Sequence, residues 1–471
     1  MTQLPLSDVP DDAVDLSSSR RVHVVGVGGP GMNPIAAVLA AQGHAVSGSD
    51  MKDSAGLGRL RALGVDVTVG HDPALVADVD VVVRSTAIPD RNIELVAASQ
   101  AGIPIARRAG ILHGISKLRR TIAVAGTHGK TTSSSMLSLA MVEADLFPSF
   151  IVGGDLNEIG SGSVWDTNGE WFVVEADESD GTFLHLDPEI AVVTNIERDH
   201  LEFHGNFENL LDAFRRFLRG ATGQSIVCRD DEWAAVLGAE VGAVTYGTSA
   251  GADYRIIDVV HHHTSTSFAI EIHGVATDVV ELPIPGLYNV RNAVAAFVAG
   301  HLAGGEPQKL LRALARFAGV ARRFEFRGEA AGVTFVDDYA HLASEVAAAI
   351  SAARSGQWQR VVAVFQPHRY SRTADVWQDF ADAFTEADVT VLTDIYAAGE
   401  PARPGITGML LVDGVLGSNP WSHVAYLPTR DQLRRYLAAT LVSGDLCLTM
   451  GAGDLTSLPD ELMADIETAR G

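Results

Sequence analysis

Lysine is the scarcest charged residue in this chain of 471 residues, which contains only Lys52, Lys117, Lys130 and Lys309. Acidic residues outnumber basic ones by 59 to 35, which gives a formal net charge of −24. This charge argues against a general binder of nucleic acid or of anionic membranes, although it leaves room for a local cationic pocket. Because lysine is so rare in this chain, a lysine inside a sequence motif is less expected to stand there by chance.

Cysteine and long apolar runs are also rare. The two cysteines, Cys228 and Cys447, lie far apart without a metal-binding spacing, which favours a reducing compartment. No apolar run is long enough to span a bilayer, and residues 1–19 are acidic and polar, unlike a secretion signal. We therefore expect a cytoplasmic protein that binds neither membrane nor nucleic acid.

The chain does contain enough apolar residues, 47%, for full-sized cores, and its length predicts about three domains. Buried strands alternate with helices, from RRVHVVGVGG near the start to DLCLTMGAGD near the end, which predicts α/β domains with parallel sheets. Alternating strands over residues 240–285 predict an antiparallel insert. The domain bounds that we expect are 21–118, 119–320 and 321–471, after a disordered segment over 1–20.

The first motif, Gly26-Val-Gly28-Gly29-Pro-Gly31, matches G-x-G-x-x-G between a strand and a helix. Such glycines let the backbone approach a pyrophosphate at the N-terminus of the helix. Asp50 ends the next strand, where an acid can bind a ribose. Alone, the motif also fits a tight strand–helix turn, and it does not distinguish NAD, FAD and a UDP-sugar. A nicotinamide-dependent dehydrogenase would explain this motif but none of the later ones.

The second motif is a glycine loop that carries one of the four lysines. In such a loop the backbone N–H groups surround phosphates, the lysine reaches the β- and γ-phosphates, and a threonine hydroxyl binds Mg²⁺. A strict eight-residue P-loop would have glycine where this chain has Val124. The pattern nevertheless predicts an ATP site, formed by Gly126, Thr127, His128, Gly129, Lys130, Thr131 and Thr132.

Acids and one histidine follow the next two buried strands. Mg²⁺ takes oxygen ligands, commonly one or two carboxylates with water and phosphate oxygens. Histidine is an unusual ligand for this hard cation, and acids in so acidic a chain are often only solvated. The candidates are Glu175, Asp177, Glu178, Asp180, Asn195, Asp199 and His200. A histidine triplet, residues 261–263, lacks further ligand spacing and is interpreted as an exposed loop.

In order along the chain, these motifs resemble those of the Mur ligases, and within that family those of the alanine-adding branch. The resemblance extends from Arg21 to Leu455 and rests on G-V-G-G-P-G-M, G-T-H-G-K-T-T, E-A-D-E-S-D-G, T-N-I-E-R-D-H-L, R-R-F-E, D-D-Y-A-H, F-Q-P-H-R-Y-S-R-T, D-I-Y-A-A-G-E and M-G-A-G-D. It implies a Rossmann-like UDP-binding domain, a central P-loop ATPase domain and a C-terminal Rossmann-like domain that closes on ATP and the amino acid.

The resemblance also implies a reaction. ATP would phosphorylate the lactyl carboxylate of UDP-N-acetylmuramic acid, and L-alanine would attack the acyl phosphate, an early step of peptidoglycan synthesis. The resemblance implies ATP and Mg²⁺, or Mn²⁺, as cofactors, and we expect a monomer or homodimer.

Roles follow by matching motif positions. Lys130, Glu175, His200 and Arg323 would be catalytic, and Thr131, Glu175 and His200 would bind metal. The ATP loop would be joined by Asn289 and Asn292 at adenine, Arg323 at the γ-phosphate and Asp338 at the ribose. The UDP-sugar would contact Gly26, Gly28, Gly29, Gly31, Met32, Asp50, Ser85, Thr86 and Asn92. The alanine and acyl end would be lined by Tyr339, His341, His368, Arg369 and Arg372.

Some positions differ from the family pattern. Leu342-Ala343 stands where His-Pro is usual, Tyr288 replaces a histidine, and Gly110 replaces a glutamate. The first difference lies beside the expected amino-acid pocket, so a paralogous ligase for another amine or acid stays an alternative. A nucleotide-binding protein without activity is a further alternative, which the intact Lys130, Glu175 and His200 disfavour.

Overall fold

The protein is described by a computed structural model over residues 10–85, 87–156 and 159–470. The chain forms two compact units. The first comprises residues up to 257 with 269–280 and 291–317, and the second comprises 258–268, 281–290 and 318 onwards. The first unit contains one α/β sheet and most of a second, and the second unit contains a third, so the expected α/β class is confirmed.

The first sheet of the first unit has five strands in the order β3-β2-β1-β4-β5, and neighbouring strands are all parallel. This is the doubly wound arrangement, in which the strand order reverses between β1 and β4 and opens a crevice for ligands. Its elements are β1 (Arg21–Val25), α1 (Asn33–Ala41), β2 (Ala45–Asp50), α2 (Ala55–Ala62), β3 (Asp66–Val69), β4 (Val81–Arg84), α3 (Ile93–Gln100), β5 (Ile105–Arg107) and α4 (Arg108–Ser116).

The segment that precedes β1 packs against α4. Asp12 accepts hydrogen bonds from the backbone N–H and the Nε of Arg107, at 2.7 and 3.1 Å. Leu16 is buried. A Cβ at Gly110 would overlap the carbonyl oxygen of Asp12, and a Cβ at Gly114 would overlap that of Val14. Residues 10–20 therefore differ from the disorder expected for 1–20, because two helical glycines leave room for close backbone approach. Residues 1–9 lie outside the described residues.

The second sheet runs in the order β15-β14-β13-β12-β11-β10-β6-β9-β7-β8. Its core strand β6 pairs in parallel with β10 and β9, and each of the three is buried over most of its length. The strands and helices are β6 (Arg120–Ala125), α5 (Lys130–Glu143), β7 (Ser149–Leu156), β8 (Ser161–Val164), β9 (Trp171–Glu175), β10 (Ile190–Val193), α6 (Leu201–His204), α7 (Phe207–Gly220), β11 (Gln224–Cys228), α8 (Glu232–Val241), β12 (Val244–Gly247), β13 (Tyr254–His261), β14 (Thr266–Ile272), β15 (Val275–Ala276), β16 (Val280–Leu282), α9 (Leu287–Leu302) and α10 (Pro307–Leu314).

The expected antiparallel insert begins later than residue 240. Strand β12 pairs in parallel with β11, and β13 pairs in parallel with β12. An antiparallel pairing is found between β14 and β15. The prediction is therefore wrong for β12 and for the start of β13. Alternating polarity marks a strand with one solvated face but does not fix the direction of its neighbour.

The second unit has a six-stranded sheet in the order β17-β18-β22-β19-β20-β21. The hairpin β17–β18 is antiparallel and the other neighbouring strands are parallel, with apolar clusters on both faces. Its elements are β17 (Glu325–Ala330), β18 (Val333–Asp338), α11 (Ala343–Ser355), β19 (Arg360–Phe365), α12 (Tyr370–Val376), β20 (Val389–Leu392), α13 (Met409–Ser418), β21 (Val424–Tyr426), α14 (Arg430–Thr440), β22 (Asp445–Met450) and α15 (Leu458–Arg470). Within the described part of the chain, no helix has the length and apolar character to cross a membrane.

Candidate active site

The carboxyl edge of the second sheet brings together the predicted phosphate loop and two of the polar residues that the sequence placed after strands. The loop that carries Lys130 follows β6, Glu175 ends the neighbouring strand β9, and Asn195 follows β10 on the other side. Parallel strands end at the same edge, so these three groups converge although they lie far apart in sequence. This confirms the strand-end placement from which the site was predicted.

The second glycine loop, residues 126–132, has a backbone that requires two of its glycines. Gly126 and Gly129 have φ of +134° and +79°, a region that side chains disfavour. A Cβ on Gly126 would overlap the hydroxyl of Thr194, and one on Gly129 would overlap the amide oxygen of Asn292. The Asn292 side chain therefore lies against the loop, and its role at adenine stays a prediction.

Asn195 fixes the same loop from the next strand. Its Oδ1 accepts the backbone N–H of His128 at 2.8 Å, and its Nδ2 donates to the His128 carbonyl at 3.0 Å. Thr127 accepts the Glu197 N–H through its hydroxyl, at 2.8 Å. The His128 ring lies 3.2 Å from the Glu197 carboxylate. These bonds hold the loop in place without occupying the N–H groups of Lys130 and Thr131 at the start of α5.

The Lys130 ammonium is largely buried and points back over its own loop. Nζ donates to the carbonyl oxygens of Gly126 and Thr127, at 2.6 and 3.2 Å, and lies 2.9 Å from the carboxylate of Glu178. Burial opposes the charge on Lys130, but Glu178, Asp177 and Glu175 together raise the pKa of Lys130 above its ordinary value. The lysine is therefore a fixed positive charge at the phosphate loop.

Thr131 and Glu175 face a common point beside Gly153. The Gly153 N–H donates to Glu175 Oε2 at 2.8 Å. A Cβ on Gly153 would lie 2.6 Å from Glu175 Oε2 and 3.0 Å from the Thr131 hydroxyl oxygen. Two oxygen donors that share a small space fit the preference of Mg²⁺. These residues could therefore hold the cation that the sequence predicts.

His200 occupies a strained backbone position at the start of α6, with φ of +54°. Its Nε2 lies 3.2 Å from Asp199 and its Nδ1 3.6 Å from Glu202. Among the described residues, no group of three or more His, Cys, Asp or Glu side chains is arranged to hold a metal by itself. The metal role of His200 therefore stays a prediction.

Asp177 connects this edge to the first sheet of the same unit. Its carboxylate lies 3.3 Å from Arg108, the first residue of α4, and burial is outweighed by Lys130, Arg108 and the Ser179 hydrogen bonds, which lower the pKa of Asp177 to about 2. Arg108 also lies 3.3 Å from the point where a Cβ on Gly31 would be. One guanidinium thus lies beside the first glycine loop and also pairs with an acid that follows β9.

The first glycine loop, residues 26–31, is fixed by the end of β2. The Gly26 N–H donates to the carbonyl of Ser49 at 2.8 Å, and the Gly28 N–H donates to Asp50 Oδ2 at 2.9 Å. Gly26 has φ of +81°. The acid predicted to bind a ribose therefore lies directly at the loop, and its contact with a ribose stays a prediction.

Only some of the other predicted UDP-sugar residues lie at the first glycine loop. Ser85 lies at the first loop, since a Cβ on Gly26 would be 3.3 Å from its Cβ. Met32 is buried at the N-terminus of α1. Asn92 caps α3 by accepting the Glu94 N–H at 2.9 Å, so its amide oxygen is used within the domain. Thr86 lies outside the described residues.

In the second unit, the buried Asp338 is followed by the half-buried Tyr339, and the half-buried Arg323 lies near both. Asp338 accepts the backbone N–H groups of Phe324 and Ala340, at 2.8 and 2.7 Å. Burial raises the pKa of Asp338 to about 6, although Arg323 acts in the opposite direction. The Arg323 guanidinium lies 5.1 Å from the centre of the Tyr339 ring.

Four of the residues predicted for the alanine and acyl end form one aromatic and cationic cluster. The ring of His341 lies 5.4 Å from that of Tyr339 and 6.3 Å from that of His368. Arg372 lies 3.5 Å from His368 Nδ1. Burial, with the positive charges of Arg372, His341 and Arg369, lowers the pKa of His368 to about 4. The fifth residue, Arg369, has φ of +68° beside this cluster.

Two further predictions concern the second unit. The Asn289 side chain is buried and donates to the carbonyl of Pro285 at 2.8 Å, so the structure ties it to its own helix start. The histidines at 261–263 are exposed, as expected, but His261 ends β13, so only His262 and His263 lie in the predicted loop. His263 packs its ring 3.8 Å from that of Trp358, and His262 bonds to Ser267 at 2.8 Å.

Sequence reasoning missed Arg108 and Gly153. Each lies next to a predicted ligand-binding loop, but its importance comes from strands and helices that meet only in the fold. An arginine after a short strand and a glycine within one carry no distinguishing local pattern. Glu178 was noted only as one acid among several, and its contact with Lys130 was not expected.

Three family models match the chain along its length. Residues 21–120 match the model described as Mur ligase family, catalytic domain, and residues 124–300 match the Mur ligase middle domain. Residues 322–453 match the model described as Mur ligase, glutamate ligase domain. The three ranges correspond to the three sheets.

Known proteins match over nearly the whole chain. A curated UDP-N-acetylmuramate–L-alanine ligase of Desulforamulus reducens is 43% identical over 455 residues, which cover 95% of this chain and 98% of that protein. The solved structure of a UDP-N-acetylmuramate–alanine ligase from Thermotoga maritima has a TM-score of 0.80 at 26% identity, covering 96% of this chain and all of that one. A murein peptide ligase from Psychrobacter arcticus has a TM-score of 0.67 at 23% identity and covers 95% and 99% of the two chains, which shows the shared fold.

Proposed function

The chain belongs to the Mur ligase family, and we propose that it joins L-alanine to the lactyl carboxylate of UDP-N-acetylmuramic acid with conversion of ATP to ADP and phosphate. Mur ligases are ATP-dependent ligases with three domains. The observation that carries the proposal is the convergence of Lys130, Thr131 and Glu175 at one sheet edge, in a chain that matches alanine ligases from end to end.

The domain bounds are part of the proposal. We assign residues 21–118 to the UDP-sugar, 119–320 to ATP, and 321–471 to the amino acid and the closure on ATP. Such a reaction uses two nucleotides and a free amino acid, which are available in the cytoplasm. It would serve peptidoglycan synthesis, and so cell shape and division.

The first step activates the lactyl carboxylate, which is a poor electrophile until it is phosphorylated. An oxygen of the lactyl carboxylate attacks the γ-phosphorus of ATP, the bond to the β-phosphate oxygen breaks, and ADP leaves. Lys130 is positioned to neutralise the β- and γ-phosphate oxygens, as a fixed charge does most effectively in a partly buried site. The N–H groups at the start of α5 add the positive end of a helix dipole.

Thr131 and Glu175 would hold a first Mg²⁺ or Mn²⁺ ion, and His200 is the proposed ligand for a second. These ions would reduce the repulsion between the carboxylate and the phosphates. The first glycine loop, with Arg108 and Asp50, would bind the UDP part of the acid substrate. The fit of oxygen donors around Gly153 supports the first of these metal sites.

The second step forms the amide. The neutral amine of alanine attacks the acyl carbon, phosphate leaves with the bonding electron pair, and the nitrogen releases a proton to solvent. Arg372 is assigned to the alanine carboxylate, which a guanidinium can bind through two hydrogen bonds. The low pKa of His368 keeps its ring neutral at neutral pH, so the ring can accept a hydrogen bond there.

The test is a phosphate-release assay with UDP-N-acetylmuramic acid, ATP and each amino acid in turn. We expect release that requires the sugar nucleotide and is fastest with L-alanine. Strong preference for glycine or serine would change the amine assignment, which the Leu342-Ala343 difference makes worth measuring. Release with the tripeptide L-alanyl-γ-D-glutamyl-meso-diaminopimelate instead of alanine would favour a peptide ligase. No release with any amine would refute the ligase proposal.

A further inference from the structure

Lys130 makes its full set of hydrogen bonds in this structure without any phosphate. Its Nζ carries three hydrogens, and the acceptors are the carbonyl oxygens of Gly126 and Thr127 and the carboxylate of Glu178. A phosphate can bind this ammonium only if it replaces one of these acceptors. The two carbonyls belong to the loop itself, so the replaceable group is Glu178.

Glu178 differs from the other acids of its loop in its partner. Glu175 accepts from Gly153, and Asp177 pairs with Arg108. Both oxygens of Glu178 lie 2.9 Å from Lys130 Nζ. The Glu178 side chain is 1% exposed. A buried carboxylate against a buried ammonium is a strong contact, because little water screens it.

The Glu178 backbone is also held in place. The His204 ring lies with Nε2 2.9 Å from the Glu178 carbonyl oxygen. The Phe203 ring lies about 3.0 Å from the point where a Cβ on Gly181 would be, at the other end of the same turn. Helix α6 therefore supports the loop that presents Glu178, so the carboxylate has a defined position relative to Lys130.

We propose that Glu178 is a positioning residue that holds Lys130 over the second glycine loop and competes with nucleotide phosphates for its ammonium. The inference rests on the proposed function, because it assumes that the loop binds ATP. Glu178 then has two opposite effects. It weakens phosphate binding in the absence of metal, and it keeps the lysine in the orientation from which it can reach the phosphates.

The distinguishing variant is Glu178→Gln in the full-length protein, measured by calorimetric titration with ADP in EDTA. The amide keeps the shape but removes the charge, so we expect the Kd for metal-free ADP to fall by about fivefold to tenfold. We expect turnover of the same variant with Mg-ATP to fall. A residue that only supported the fold would weaken ADP binding when changed. Glu208→Gln, which removes an exposed carboxylate in α7, is the matched control and should leave the Kd unchanged.

The scarcity of lysine allows a second measurement that needs no variant at this position. With lysine labelled by ¹⁵N at Nζ, the protein carries only four such groups. We expect the buried Lys130 ammonium to exchange its protons more slowly than that of the exposed Lys52, and its signal to shift when ADP is added.

The outcomes separate this inference from the proposed function. If the wild type binds no ADP, the proposed function fails. If the wild type binds ADP but Glu178→Gln binds it equally or more weakly, the inference fails alone. Should Glu178→Gln not fold, exchange at Lys130 as fast as at Lys52 would overturn the inference, and slow exchange with a shift on ADP addition would support it.

Discussion

The two glycine loops of the first unit share one plan but present different charges to a ligand. Each follows a buried parallel strand and precedes a helix. At the first loop a carboxylate, Asp50, accepts a loop N–H. At the second loop an ammonium, Lys130, lies over the loop carbonyls, with Thr131 and Glu175 beside it.

The difference shows that the backbone turn alone does not choose the ligand. Both helix N-termini favour an anion, because each exposes N–H groups at the positive end of its dipole. The side chains from neighbouring strands add the discrimination. An acid suits ribose hydroxyls, whereas a lysine with oxygen ligands for Mg²⁺ suits the triphosphate of ATP. Substitutions at the two loops should therefore separate the two substrates.

The largest effect is expected for Lys130→Ala. Loss of a preorganised charge at the phosphates should cost about 3 kcal/mol or more of transition-state stabilisation, roughly a hundredfold or more in kcat/KM for ATP. Steady-state kinetics with each substrate varied in turn gives kcat/KM for ATP and for the other substrates. Lys309→Ala is the matched control, since Lys309 forms a surface pair with Asp145, and such pairs contribute little. Near-native turnover of Lys130→Ala would show that the second loop is not the ATP site.

The next effect is expected for Gly153→Ala. The added Cβ would lie 2.6 Å from Glu175 Oε2 and 3.0 Å from the Thr131 hydroxyl oxygen, so the carboxylate must leave its present position. We expect the Mg²⁺ concentration for half-maximal activity to rise about tenfold, the size of a modest overpacking penalty. A metal titration of activity at saturating substrates measures this.

The control for Gly153→Ala is Gly58→Ala in α2, where an added Cβ meets open space. That variant should keep the wild-type metal dependence. If Gly153→Ala also keeps it while folding normally, then Glu175 does not act as a metal ligand at this position.

A smaller and differently directed effect is expected for Asp50→Ala at the first loop. Loss of one ribose hydrogen bond costs about 1 kcal/mol, so KM for the UDP-substrate should rise roughly fivefold. KM for ATP should stay within twofold of the wild type. Initial rates with one substrate varied and the other saturating separate the two constants. A rise in the ATP constant instead would mean that the ligands of the two loops are exchanged.

Sequence reasoning predicted the parts of this comparison that depend on local pattern. The β-branched runs before Gly26 and Gly126 indicate buried parallel strands, and the glycines and Lys130 indicate phosphate loops. These features follow from neighbouring residues, so the sequence carries them directly. The alternation of strands and helices then predicts the α/β class, whereas the order of the strands was not predicted.

The contacts that tune the loops were not predictable in the same way. Gly153 and Glu175 are separated by 22 residues and meet only because β7 pairs with β9. Glu178 contacts Lys130 across 48 residues through a loop without regular structure. Such contacts depend on side-chain packing between segments, which local periodicity does not specify. The packing of residues 10–20 on α4 was missed for the same reason.

The smallest effect is expected for Glu94→Gln beneath the first loop, where the change is in thermal stability and depends on pH. Glu94 is fully buried and accepts from the Ser49 hydroxyl at 2.6 Å and the Asp72 N–H at 3.0 Å, with His23 at 3.5 Å and His71 at 3.3 Å. Burial opposes its charge, but His23, Ser49 and the Asp72 N–H keep the pKa of Glu94 below its ordinary value.

A lowered pKa in the folded state means that the carboxylate stabilises the protein above the unfolded pKa, near 4.5, and that this contribution is lost as the pH falls further. Glu94→Gln should therefore lower the thermal midpoint by a few degrees at pH 7, from a loss of about 1 kcal/mol. The difference from wild type should shrink below pH 4.5, because the wild-type acid then also becomes neutral. Thermal unfolding of both proteins between pH 3.5 and pH 7 tests this, with the exposed Glu208→Gln as control. A difference that stays constant over this range would mean that Glu94 is already neutral in the fold, so that the first loop, unlike the second, is supported by hydrogen bonds without a buried charge.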